Sequence, residues 1–149
     1  MPNVLRNALA LLAGFFLGSA VNMGLVLAGY RLVPPPPGVN PADPASISAS
    51  IHLFGPQHFL FPFLAHALGT FVGALIAHVL AGSYRRTFAF VIGSLTLAGG
   101  IAASFMIPAP AWFIALDLLV AYLPMAWLAT RVGCALRPLQ TAAPTAPTS

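Results

Sequence analysis

Apolar runs of about twenty residues decide what this chain can become. Residues 8–30, 59–82, 87–107 and 111–130 are each long enough, at about 1.5 Å per helical residue, to cross a hydrocarbon core about 30 Å thick. A spanning segment must satisfy its own backbone hydrogen bonds, and runs this long do so as α-helices. A soluble alternative lacks the means to face water. Only 5% of the residues are charged and 59% are hydrophobic, against about 25% charged in an ordinary soluble domain. Two acidic and six basic residues cannot coat a core in 149 residues. The chain is therefore expected to be all-α: a polytopic membrane protein with four transmembrane helices in an antiparallel bundle. Residues 1–137 form one transmembrane domain. The tail 138–149, repeating Thr, Ala, Pro and Ser, is expected to be a disordered cytoplasmic extension.

The formal charge of +4 does not describe a nucleic-acid surface, because its carriers are scattered at the ends of the apolar runs. They are all arginines: Arg6, Arg31, Arg85, Arg86, Arg131 and Arg137. With the N-terminus inside, every one except Arg31 is cytoplasmic, which satisfies the positive-inside bias and returns the C-terminus to the same side. Arg6, an apolar stretch and Gly18-Ser19-Ala20 imitate a cleavable signal peptide. The apolar sequence continues well past Ala20, however, so an uncleaved first helix is expected. A chain without lysine and rich in Ala, Pro and Arg fits the codon usage of a GC-rich bacterium, hence a multi-pass protein of the bacterial inner membrane. The lone Cys134 excludes an internal disulfide and reads as a small interfacial residue.

The connections are unequal. Ser83 to Arg86 and Pro108-Ala109-Pro110 are short and make the last three spans neighbours. The external loop 31–58 is long. Its four prolines, Pro34 to Pro37, form a stiff polyproline II spacer. Asp43-Pro44 follows as an N-cap with proline at the first helical position. Ile47, Ile51 and Phe54 then recur at helical spacing. A short amphipathic helix over about 44–54 is expected on the membrane surface or over the helices, stopped by Gly55-Pro56. Tyr30, Phe59 and Trp112 are placed in an outer aromatic belt, Tyr84 and Trp127 in an inner one.

Helices in lipid associate through small residues and interhelical hydrogen bonds. Gly14 and Gly18 form one such face on the first span, Ala65, Gly69, Gly73 and Ala77 a longer one on the second, and Thr96, Gly100 and Ser104 a third. Polar residues inside the runs are the candidates for function, because a mid-membrane carboxylate costs about 2.5–3.5 kcal/mol on insertion scales and must be compensated. Asp117, His66 and Asn22 fall at similar depths in the outer half, about 9–12 Å below the boundary, and are expected to converge, with Asp117 bonded to His66. Secondary candidates are Thr70 and His78, which continue the polar stripe of His66 toward the inner end, His58 at the outer boundary, and Tyr122 and Pro124, where a proline must bend the fourth span. Thr70 and His78 also have simpler roles, a bond back to its own helix and a reach to the inner interface. The histidine spacings form no metal-ligand pattern, and neither a metal nor a cofactor is expected.

The stretches 64–70 (LAHALGT) and 121–126 (AYLPMA), with Trp112-Phe113 and Asp117-Leu118, resemble a family of small bacterial four-helix integral membrane proteins of uncharacterised activity. The resemblance covers the second to fourth spans. It implies a four-helix bacterial membrane protein and no particular reaction. The sequence thus reads first as an accessory or structural membrane subunit acting through helix packing, in contact with the bilayer and with a second copy or another membrane protein. The alternative is a small transporter or proton-coupled channel using the Asp117–His66 pair. The third is an intramembrane enzyme, for which no nucleophile, metal set or acid pair has a recognisable spacing.

Overall fold

In a computed structural model, residues 2–136 are described. Arg137 and the tail, expected to be disordered, lie outside them. All regular structure among the described residues is helical. Helix α1 spans Asn3–Leu32, α2 Pro44–Ser50, α3 Leu60–Leu80, α4 Arg85–Met106, α5 Ala111–Val120 and α6 Leu123–Ala135. Short 3-10 turns, Ile51–Leu53 and Pro56–Phe59, join α2 to α3. Four helical segments are long and apolar enough to cross a membrane: Asn3–Leu32, Pro56–Leu80, Arg85–Met106 and Ala111–Ala135.

The last of these, expected as a span over 111–130 bent by Pro124, is interrupted outright. It breaks between Val120 and Leu123, where Tyr122 takes φ −120° and ψ −84°. Pro124 supplies the cause: it has no N–H for the carbonyl of Val120, and its ring disfavours helical geometry before it. The chain restarts with Pro124 in the first turn of α6. The expected helix over 44–54 is also shorter. It is α-helical to Ser50 and tightens into the 3-10 turn at Ile51–Leu53. At its start Asp43 accepts from the N–H of Ala45 at 3.0 Å, the N-cap the sequence anticipated.

Helix α3 is central, packing against α1, α4 and α6. Its seam with α1 is built from glycine. A Cβ on Gly14 would stand 2.5 Å from the carbonyl oxygen of Gly73, and one on Gly18 would stand 2.7 Å from that of Gly69. Only residues without side chains let the backbones approach so closely. Residue numbers fall along α3 as they rise along α1, from Arg6 beside Leu80 to Gly29 beside Phe61.

One end of the assembly carries the 31–58 loop; the other carries the 81–84 turn. At the turn end the Asn7 side-chain oxygen accepts from the N–H groups of Gly82 (2.8 Å) and Ser83 (3.2 Å), and its amide donates to the Ser83 hydroxyl at 2.9 Å. Arg6 donates to the carbonyl of Leu80 at 2.8 Å. Tyr84, exposed and left-handed at φ 47°, begins α4. Here the core is closely packed: Ala74, Ala77, Ala89, Ile92, Ala126 and Ala129 are fully buried against one another.

Candidate functional site

Asp117 is buried, 4% exposed, on the last turns of α5. His66, four residues before Thr70 on α3, places Nδ1 at 2.9 Å from both carboxylate oxygens. A carboxylate that only accepts requires the proton on Nδ1, which leaves Nε2 as the atom that gains or loses one. Tyr122 donates its hydroxyl to Oδ2 of Asp117 at 2.8 Å. Its ring lies 5.7 Å from that of His66, centroid to centroid. Two donors from two elements therefore hold the carboxylate, which answers the cost of burying it.

The helix break makes this possible. Tyr122 is fully buried and reaches back to an acid five residues earlier, a direction that an unbroken helix does not offer. Gly100 of α4 makes the space: a Cβ there would overlap the Tyr122 hydroxyl and lie 2.5 Å from its ring carbon Cζ. Gly100 thus serves the hydroxyl, not the helix–helix approach expected of a small-residue stripe.

Two cavities meet at this network. The first, about 210 Å³, lies between it and the loop end. Ile47, Ile51 and Phe54 of the short loop helix and its 3-10 extension face into this space with Phe59 and Phe113, and His66 and Asp117 also line it. The amphipathic segment therefore lies over the helices and roofs a chamber. The second, about 280 Å³, is a groove between α1, α3 and α4, lined by Ser19, Asn22, His66, Thr70, Thr96 and Tyr122 together with glycines and the apolar Phe15, Ile92 and Leu95. His66 and Gly100 border both.

Asn22 is at the expected depth, with its Cβ against Gly69, but it faces the groove; the second bond to Asp117 comes from Tyr122 instead. Thr70 donates across to the Thr96 hydroxyl at 3.1 Å, and Thr96 in turn lies 2.9 Å from the carbonyl of Ile92. The expected bond of Thr70 back to its own helix is replaced by this crossing. Thr96 entered the sequence reading only as a packing residue, since nothing in one sequence gives the rotation of α4 against α3.

His78 does not extend the polar stripe as a path. It is buried near the turn end, its ring filling the space left by Gly133 and its Nε2 3.8 Å from the sulfur of Cys134. The buried Ala74 and Ala77 stand between it and Thr70 along α3. His58 is a structural tie: Nδ1 accepts from the N–H of Gly55 at 3.0 Å, and Nε2 lies 3.2 Å from the carbonyl of Pro34, to which it donates. It pins the polyproline spacer to the start of α3. Phe59, expected at the aromatic belt, is instead buried in a ring cluster, 4.8 Å from Phe113 and 5.7 Å from Trp112. The four apolar segments around the network leave the apolar residues on the outer faces of the helices exposed.

The chain matches no protein-family model, no curated protein and no solved structure.

Proposed function

We propose that this chain is a small proton-linked carrier of the bacterial inner membrane, an antiparallel four-helix bundle whose Asp117–His66–Tyr122 network is the protonatable site. One observation supports this reading above the others: the buried carboxylate lies at a break in its own helix, with one cavity on the loop side, a groove beside the network, and a closely packed alanine core toward the turn end. Ionisable residues within spanning segments mark ion and solute pathways, and discontinuous helices form many transporter sites. The packed core, as a seal at that end, argues for a carrier with alternating access over an open channel. Arg6, Arg85, Arg86 and Arg131 gather at the turn end and Arg31 at the loop end, so the positive-inside rule puts the loop outside and both termini in the cytoplasm. A reporter active only outside the cytoplasm should work when inserted in the 31–58 loop and be silent at the C-terminus.

The carrier reading requires the seal to open. In a Cys134→Ser background, Ala126→Cys should react with a membrane-impermeant thiol reagent applied from the cytoplasmic side, and its rate relative to an exposed cysteine measured at the same pH, which cancels thiol ionisation, should differ several-fold between acid and neutral pH. Asp117→Asn should remove that dependence. If Ala126→Cys stays unreactive at every pH, the helices do not move and the carrier reading fails. The accessory-subunit reading then gains, with its own consequence: loss of Asp117 lowers assembly with a partner.

A further inference from the structure

We propose that the cavity beneath the loop binds a compact lipophilic ammonium ion, an amine carried on an apolar body about the size of one aromatic ring. This rests on the carrier reading and names the solute exchanged for the proton. Size comes first. A cavity of about 150 Å³ lined by aliphatic and aromatic groups accepts benzene, and this one offers about 210 Å³. Val26, Ile47, Ile51, Ile114 and Leu118 supply aliphatic wall. Phe54, Phe59 and Phe113 add ring surface, with Phe59 standing 6.5 Å from Phe54 and 4.8 Å from Phe113. Ring faces attract cations and pack against apolar bodies alike.

Charge selects among molecules of that size. The carboxylates of this chain are Asp43, which caps α2, and Asp117, which lines the cavity. No arginine lines it, so an anion would meet the Asp117 carboxylate with no permanent cation in the wall to hold it. A carboxylate has about four acceptor sites. His66 and Tyr122 are two donors to it, and the remaining capacity is open to an ammonium N–H.

The titratable groups around the site are His66 on α3, Tyr122 at the helix break, Tyr30 on α1 and, at the rim, His58; α4 contributes Gly100, Ala103, Ser104 and Ile107, none of which ionises. His66 and Tyr122 are both bonded to Asp117, so an ammonium seated on the carboxylate takes the place of a proton in that network: one cation enters as one proton departs.

The test uses the protein in phosphatidylcholine nanodiscs, with empty nanodiscs subtracted. Phenethylammonium, phenethyl alcohol and hydrocinnamate are titrated by calorimetry in two buffers of different protonation enthalpy. The amine should bind at least about tenfold more tightly than the alcohol and release close to one proton. Asp117→Asn should erase that preference. Because the variant can fail to fold, Ala103→Phe, which fills the cavity wall away from the network, should independently weaken amine binding by about tenfold. Equal binding of amine and alcohol, tighter binding of hydrocinnamate, or undiminished binding to the Ala103→Phe variant overturns the inference. If the Ala126→Cys seal opens with pH while the amine fails to bind, the inference falls and the carrier reading stands. Amine binding to a protein whose seal never opens supports the site and removes the carrier.

Discussion

At the scale of single residues, the network is a coupled unit, and its members should not act independently. Asp117→Asn and His66→Gln, made singly and together, should show an interaction energy of about 0.5–3 kcal/mol in a stability cycle; full additivity would mean that the pair is not an energetic contact. Tyr122→Phe removes a hydrogen bond to a charged acceptor and should cost about 1.5–3 kcal/mol. Gly100→Ala should produce much of the same loss by displacing the tyrosine, and should cost less once Tyr122 is already Phe, because the overlapped hydroxyl is gone. Denaturant or thermal unfolding in detergent reads all of these. Asp117 and His66 were legible because each is a polar residue in an apolar run, and their depths coincide. The role of Tyr122 was not. In a continuous helix residues five apart point about 140° away from each other, so only the break brings the hydroxyl onto the acid. Asn22 shows the opposite limit: its depth was correct, but depth does not give azimuth.

Among the elements, the seam between α1 and α3 is the most demanding. Gly18→Ala should push the helices apart and cost about 1–3 kcal/mol, as overpacking does in other close interfaces. Gly24 is the matched control. A Cβ there meets nothing within 4 Å, so Gly24→Ala should be neutral or should stabilise the helix by up to about 1 kcal/mol. The same unfolding measurement separates the two. The glycine spacing made this seam readable, and apolar length made readable the four helices long enough to cross a membrane. Asp43-Pro44 likewise announced the start of α2, since a cap and its proline are local chemistry. The turn at 81–84 was not readable in full: its backbone donors are satisfied by Asn7, from the opposite end of the sequence of these helices. Asn7→Ala leaves those donors without their acceptor and should cost about 1–3 kcal/mol, with faster amide exchange confined to Gly82 and Ser83 as its local signature.

For the whole molecule, α1 and α3 form the fixed part, because their backbones touch with no side chain between them to adjust. The break at Val120–Leu123 lets α5 and α6 differ in packing, α6 lying close against α3 and α4 through Gly133 and Ala126. The chamber under the loop and the closely packed alanine core lie toward opposite ends. The seal has a mechanical consequence. Five of its six buried residues are alanines and the sixth is Ile92, with Leu11, Phe71, Leu75 and Phe88 packed against them, so the innermost closure is made mostly by methyl groups. A displacement of about 2.8 Å, the diameter of the water-sized probe, is enough to wet it, and the energy of closure is spread over many methyl contacts with no single latch. Such a barrier resists one-at-a-time truncation, since alanine has almost nothing left to remove, and is vulnerable in the other direction. A single bulky residue, such as phenylalanine at Ala74, would wedge it ajar.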